Sequence, residues 1–132
     1  MGVGCLCEVN VTQCPSTIVA GVPFQVVFQV NVMGLCDNCR VRCLSVVPGN
    51  IESTCTLSAP GIIPNPDGTL NVEQGETTVT ATVVADACPN AGNIIVDLAV
   101  RCQNESGVET CEDSAVCVIR NCENQPTCPP PQ

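Results

Sequence analysis

The sequence predicts an all-β fold, an antiparallel β-sandwich of about seven or eight strands that is held together by disulfide bonds. Three observations support this class. Apolar residues alternate with polar ones along several segments, turn-forming residues recur about every ten positions, and thirteen of the 132 residues are cysteines. The length suits one domain with short tails.

The strongest strand pattern is "PFQVVFQVNVM", where Phe24 and every second residue to Val32 share a face while Gln25, Gln29 and Asn31 lie on the other. The segments "TTVTATVVADA" and "NIIVDLAVRC" alternate in the same way and are rich in β-branched residues. Weaker strand candidates are "CEVNVTQC", "CRVRCLSVV", "STCTLSA", "TLNVE" and "SAVCVIRNC". Segments such as "PGN", "PNPDG" and "CPNAGN" separate them as turns.

The apolar content is unusual, because tryptophan and tyrosine are absent and phenylalanine occurs twice. Small aliphatic side chains bury less area each than aromatic ones, so covalent stabilisation would be valuable. A cysteine content of about a tenth of the chain is typical of disulfide-rich extracellular proteins. We therefore expect an oxidised location outside the cell or on its surface.

The charge distribution argues against several partners. The formal net charge is −9, and the cations are Arg40, Arg42, Arg101 and Arg120. Such a surface is a poor match for nucleic acid or anionic membranes. No segment is apolar enough to span a membrane, and no signal-peptide pattern precedes Cys5, so we expect either a mature secreted chain or one that is oxidised after synthesis.

The residues that usually carry catalysis are scarce. The chain has no histidine, lysine or tyrosine, which removes most general bases, and we expect no enzyme, no catalytic site and no cofactor. The segment "CDNCRVRC" contains half of a zinc-site pattern in Cys36 and Cys39, but no second CxxC pair or histidine completes it. Structural disulfides, rather than a metal or redox site, are the favoured interpretation, with no bound metal expected.

Two other motifs have ordinary explanations. Asp67 and Gly68 in "PNPDGT", and the acidic run Glu109, Glu112 and Asp113, lack the ligand spacing of a calcium loop, which favours a tight turn and a solvated face. Asn10 and Asn104 match the N-glycosylation acceptor pattern, which matters only in a glycosylating secretory pathway.

The cysteines divide into two predicted groups. We expect the inner group to form bonds within the chain: Cys14, Cys36, Cys39, Cys43, Cys55, Cys88, Cys102, Cys111 and Cys117. We expect the outer group to bond other copies: Cys5, Cys7, Cys122 and Cys128. Thirteen is an odd number, so at least one thiol stays free or bonds outward, and the pairing itself cannot be deduced. The predicted organisation is a connector arm over residues 1–7, a sandwich over 8–121 and a Cys/Pro-rich tail over 122–132.

The order of the strong strands resembles that of immunoglobulin-like domains in bacterial surface and adhesive proteins. In that family "AGVPFQVVFQVNV" would be the second strand, "LNVEQGETTVTATV" would lead into the fifth, and "NIIVDLAVRC" would be the sixth. Antibody domains contain a tryptophan packed on a disulfide and a conserved tyrosine corner. Neither feature has a counterpart in this chain, which has no tryptophan or tyrosine.

The early cysteines in "GCLC", followed by a small β-rich domain, also resemble the subunits of bacterial endospore appendages, whose domain is a jelly roll. That resemblance implies a cysteine-bearing N-terminal connector and fibres that are cross-linked by disulfides between subunits. The predicted function is a structural subunit that assembles head to tail with itself into an extracellular fibre, pilus-like appendage or surface layer. The N-terminal arm and an exposed sheet edge are expected to form the contact with the neighbouring subunit. The alternative is a monomeric secreted adhesion or ligand-binding module whose disulfides are all internal.

Overall fold

The computed structural model describes residues 4–104 and 110–124 of the chain, with the side chain of Asn104 left out. It confirms the predicted β-sandwich: the described residues form ten strands and no helix. The strands are β1 (Cys5–Gln13), β2 (Thr17–Val19), β3 (Phe24–Gly34), β4 (Cys36–Val46), β5 (Ser53–Ser58), β6 (Leu70–Val72), β7 (Gly75–Ala85), β8 (Ile94–Asn104), β9 (Thr110–Ile119) and β10 (Asn121–Glu123). None of these elements is a helix of the length and hydropathy that a membrane span requires.

Two four-stranded sheets form the sandwich. The first sheet has the strand order β1-β3-β7-β5 and the second has the order β6-β4-β8-β9, and all their pairings are antiparallel. A small parallel pair of β2 and β10 lies beside them. When the three-residue strands are set aside, β3, β7 and β8 are the second, fifth and sixth of the long strands. This order agrees with the immunoglobulin-like arrangement that the sequence predicts.

The core lies between the sheets and consists mainly of valine, isoleucine, leucine and alanine. The alternation within each strand decides which side chains enter it, since successive residues point to opposite faces. Phe28 and Val79 are cross-strand partners on β3 and β7, and both are fully buried. On β8 the buried positions are Ile94, Val96, Leu98, Val100 and Cys102, which confirms the predicted inner face.

The loop before β6 is a tight turn, as the "PNPDGT" motif predicts. The Asp67 carboxylate accepts hydrogen bonds from the Thr69 hydroxyl at 2.6 Å and from the Thr69 backbone N–H at 3.0 Å. Gly68 has a φ of +88°, a conformation that suits glycine. The side-chain and backbone hydrogen bonds from Thr69 lower the pKa of Asp67, and Arg40 contributes in the same direction. The carboxylate therefore serves the turn.

Both predicted terminal arms differ from the structure. Residues 5–7 belong to β1, which pairs with β3 from Cys5 opposite Gly34 onward, so the paired strand begins before residue 8. Cys122 lies in β10, where it is opposite Ile18 of β2. The first sheet thus includes residues 5–7 and the small β2–β10 pair includes Cys122, because backbone pairing partners are available there. The rest of the predicted tail, residues 125–132, lies outside the described residues.

Candidate functional site

The twelve cysteines of the described residues form six disulfide bonds with one another. The pairs are Cys5–Cys36, Cys7–Cys111, Cys14–Cys117, Cys39–Cys102, Cys43–Cys55 and Cys88–Cys122. All nine cysteines of the predicted inner group are therefore bonded within the chain. Cys36 and Cys39, the CxxC pair, bond to two different strands and not to each other.

The predicted outer group requires correction. Cys5, Cys7 and Cys122 bond within the chain in the structure, although the sequence analysis assigned them to other copies. The physical reason is that β1 and β10 are paired strands, which carry these thiols to partners in the same domain. Cys128, the fourth member of the group, lies outside the described residues.

The seam between the sheets runs along β1 and β9, the edge strands on one side of the sandwich. Cys7–Cys111 crosses this seam, and Cys14–Cys117 crosses it next to the end of β1. Between these bridges the backbone N–H of Val9 donates a 2.7 Å hydrogen bond to Oδ2 of Asp113. An inward-pointing charge and covalent closure are both devices that keep edge strands from pairing with other chains.

The sequence pattern alone was not used to predict that Asp113 joins the two sheets by accepting the hydrogen bond from Val9. The acidic run was assigned to a solvated face, which holds for Glu112: its Oε1 lies 3.2 Å from Nε of Arg101, and both side chains are largely exposed. Asp113 instead shares the inner face of β9 with Cys111, Ala115 and Cys117. The period of two in "CEDSAVC" was the available signal.

On the opposite side of the sandwich, β4 and β5 are joined in a similar way. Cys43–Cys55 links these strands, and the hydroxyl oxygens of Ser45 and Ser53 lie 2.6 Å apart. Each sheet is thus bonded to the other along both of its long sides. The outer faces remain the broad accessible surfaces of the described residues.

The outer face of the second sheet is divided into an apolar half and a charged half. Each cross-strand row on this face has one residue from β4, one from β8 and one from β9. The two apolar rows are Val46, Ile95 and Val118, and then Leu44, Asp97 and Val116. The next two rows are Arg42, Ala99 and Ser114, and then Arg40, Arg101 and Glu112. We call the five large aliphatic residues of the first two rows the apolar patch: Leu44, Val46, Ile95, Val116 and Val118. Their exposed fractions are 60, 47, 37, 50 and 39%.

The charged half is an open concavity that also includes Glu73 of the β6–β7 turn. Three of the four arginines of this −9 chain lie there. Arg101 pairs with Glu112, whereas Arg40 and Arg42 form no ion pair with a described residue. The concavity therefore offers two unpaired cations beside an apolar surface.

The outer face of the first sheet has a different character. Its row of Glu8, Asn31 and Glu76 carries two carboxylates, and the rest is mostly threonine, serine, asparagine and glutamine. The Gln29 side chain donates a hydrogen bond to Glu76, and Thr78 donates one to Gln29 at 2.8 Å. No described arginine lies on this face, whereas the outer face of the second sheet carries Arg40, Arg42 and Arg101 together with carboxylates such as Asp97 and Glu112.

No protein-family model matches the chain, and no curated protein matches it. Two solved structures are similar to this chain at low identity. AvmM, which catalyses macrocyclization in alchivemycin A biosynthesis, is 9% identical with a TM-score of 0.53, over 91% of this chain and 90% of that one. A conjugative transposon lipoprotein from Bacteroides eggerthii is 14% identical with a TM-score of 0.48, over 84% of this chain and 95% of that one. At such identities the likeness to AvmM concerns the fold alone.

Replacing Asp113 tests the closure of the seam. Asp113→Ala leaves the Val9 N–H without its acceptor, and we expect the free energy of unfolding to fall by about 1–3 kcal/mol. Asp113→Asn keeps a carbonyl oxygen and should lose less. Guanidinium unfolding of the oxidised protein measures both. The matched control is Glu112→Ala on the exposed face, where a surface ion pair is worth about 0–1 kcal/mol; an equal loss in this control would contradict a special role for Asp113.

Removing one bridge across the seam tests whether the disulfides act as a network. Cys7 and Cys111 are 104 residues apart, but a shorter covalent route joins them through Cys5–Cys36 and Cys39–Cys102. This route has two residues from Cys7 to Cys5, three from Cys36 to Cys39 and nine from Cys102 to Cys111. We therefore expect Cys7→Ser/Cys111→Ser to cost about 3 kcal/mol, the value for a short loop, and not the value of about 4.7 kcal/mol for a 100-residue loop.

The measurement is guanidinium unfolding of the double variant, after peptide mass mapping has shown that its other five bridges are intact. A loss near the long-loop value would show that the bridges act independently.

Proposed function

We propose that the chain is a structural subunit that assembles head to tail with itself into an extracellular fibre or surface layer. The six internal disulfides support an oxidising location, since such bonds persist outside the reducing cytosol. The observation that carries the proposal is the exposed apolar patch beside unpaired arginines. The contact between copies is therefore assigned to the outer faces, since residues 5–7 already belong to a sheet.

The apolar patch is contiguous across three strands. Leu44 is opposite Asp97, which is opposite Val116, and the adjacent row joins Val46 and Ile95. Contiguous exposed apolar surfaces of this kind in soluble proteins mark sites of association more often than isolated apolar residues do. A partner that covers the patch would remove its side chains from water, at about 25 cal/mol for each Å² of apolar surface buried.

Asp97 at the centre of the patch lacks a hydrogen-bond donor. Its Oδ1 atom is buried and has no partner among the described residues. A buried acceptor without a donor costs about 1–3 kcal/mol. A partner that brings hydroxyl or amide groups to this point would supply the missing hydrogen bond, and such groups dominate the outer face of the first sheet.

Charge complementarity supports a second copy as the partner. Arg40 and Arg42 on the second sheet have no ion-pair partner in the described part of the chain, while Glu8 and Glu76 are exposed on the first sheet. Placing the second sheet of one copy on the first sheet of the next brings the arginine row toward the glutamate row. Opposite potentials at an interface steer association and select the orientation.

The available area suits a stable contact. The second sheet contains 35 strand residues, namely 3 in β6, 11 in β4, 11 in β8 and 10 in β9. At about 3.4 Å per residue and about 4.8 Å between strands, its outer face covers roughly 570 Å². Two such faces bury about 1,100 Å² together, which exceeds the roughly 1,000 Å² expected of a specific interface. Because the two faces differ, the contact is heterologous, and repeating it generates a ring or an open filament.

Reversing the charges tests the contact. Arg40→Glu/Arg42→Glu places like charges on the two faces, and so does Glu8→Arg/Glu76→Arg, so we expect each variant to lose assembly. Mixing the two variants should restore alternating contacts, since each then offers a face of the opposite sign. Light scattering after size-exclusion chromatography, with negative-stain electron microscopy, measures the outcome for the full oxidised chain.

The matched control for the patch is Ile63, an isoleucine that is 89% exposed in the loop between β5 and β6. Leu44→Thr/Val116→Thr should abolish assembly, whereas Ile63→Thr should leave it intact. A wild-type chain that remains monomeric at high micromolar concentration would overturn the proposal. It would favour the alternative of a monomeric secreted adhesion or ligand-binding module.

The predicted cross-link between copies now depends on Cys128. The described bridges bond the other three predicted outer cysteines within the chain, so Cys128 can link copies only in pairs. We expect Cys128→Ser to eliminate disulfide-linked dimers on non-reducing gels. Assembly through the faces should persist in that variant. Disulfide-linked species that survive the substitution, or that are larger than a dimer in wild type, would show that an internal bridge exchanges between copies.

A further inference from the structure

Four cysteines from three separated segments meet at one end of the sandwich. The Sγ atoms of Cys5, Cys36 and Cys102 all lie within 4.8 Å of one another. The Sγ atom of Cys39 is bonded to that of Cys102 and therefore adjoins this cluster. In the oxidised protein these sulfur atoms form two adjacent disulfides.

A bulge in β4 brings the CxxC pair to a single face. Residues three apart in a regular strand point to opposite faces, but the register of β4 with β8 shifts between Asp37 and Arg40. Asn38 within this bulge has a φ of +50°. Cys36 and Cys39 consequently both point inward, toward Cys5 of β1 and Cys102 of β8.

We propose that, before its disulfides form, the chain binds one zinc-class metal ion through the thiolates of Cys5, Cys36, Cys39 and Cys102. A tetrahedral site with Zn–S distances of about 2.3 Å holds its sulfur atoms about 3.8 Å apart. The sulfur atoms of Cys5, Cys36 and Cys102 already lie within 4.8 Å of one another, and the two sulfurs of each bridge separate once the bridge is reduced. Adjustments of about 1–2 Å in side-chain position then produce the site.

The surroundings suit a closed structural metal site. Cys39 and Cys102 are 4% and 0% exposed, so the ion would be shielded from water. Arg40 and Arg101 are cross-strand partners on the outer face, and each is the chain neighbour of one of these cysteines. Their charges favour the ionised thiolates and offset part of the net −2 charge of a Zn²⁺ ion with four thiolates.

Metal binding and bridge formation use the same sulfur atoms and are therefore mutually exclusive. If an external disulfide oxidises the loaded site, two protein thiolates form one bridge while that disulfide becomes two thiolates. Two such exchanges form Cys5–Cys36 and Cys39–Cys102 and release the ion. The inference does not depend on self-assembly, since it concerns the reduced chain.

Mapping thiol protection tests the site in the wild-type chain. The full chain is reduced with a phosphine, kept without oxygen and mixed with one equivalent of Zn²⁺. Iodoacetamide then alkylates accessible thiols, and peptide mass spectrometry locates them. We expect alkylation at the four ligand cysteines to be at least about tenfold slower than at Cys14, Cys43, Cys55, Cys88 and Cys122, because Zn²⁺ holds deprotonated thiolates in a closed site. Equal protection at all cysteines, or protection centred on another group, would overturn the site.

Cobalt binding provides the second measurement, with a matched pair of variants. Cys36→Ser/Cys39→Ser removes two proposed ligands, and Cys88→Ser/Cys122→Ser removes two cysteines elsewhere. We expect the first equivalent of Co²⁺ to produce the d–d bands of a tetrahedral four-thiolate site in wild type and in the second variant. In the first variant its affinity should fall at least about 100-fold, since two of four thiolates are lost. Equal spectra and affinities in the two variants would show binding by cysteines in general and would contradict the proposal.

Discussion

Strand β1 is bonded to the opposite sheet, and this connection limits how the molecule can meet other copies. Cys7–Cys111 and the hydrogen bond from Val9 to Asp113 close the seam between β1 and β9. A sandwich that left these edges open would present unpaired backbone groups to other strands. Because these edges are linked to each other, we propose the outer faces as the surfaces through which copies stack.

The bridges also compensate for the composition of the core. Phe28 is the one fully buried aromatic residue among those described, and most of its neighbours are valine and other small aliphatic residues. Such side chains bury less area each than aromatic ones. Covalent links between the sheets add stability by restricting the unfolded chain, at no cost in core volume. They also hold the two sheets in one alignment, so the outer faces have a defined arrangement of residues.

The sequence predicted the strand faces because a period of two can be recognised within each strand. Phe28 and Val79 each lie on the apolar face that the alternation of their own segment predicts, although neither segment shows that the two residues pair. The disulfide partners depend on which strands become neighbours, and the bulge at Asn38 that turns Cys39 inward has no clear sequence signal. Cys5 and Cys7 are two residues apart and share one side of β1. A sequence alone does not distinguish a partner strand of the same chain from one in another copy.

The register of β4 connects the cysteine cluster with the outer face of the second sheet. A slip of one residue in a strand moves all of its side chains to the opposite face. In β4 such a slip would turn Arg40 and Leu44 toward the core and Val41 toward water. The bond between Cys39 and Cys102 prevents this slip, because it joins inward-facing positions of β4 and β8. Correct pairing at the buried end of the sandwich is therefore a condition for the proposed stacking surface on its exterior, so oxidation should precede assembly.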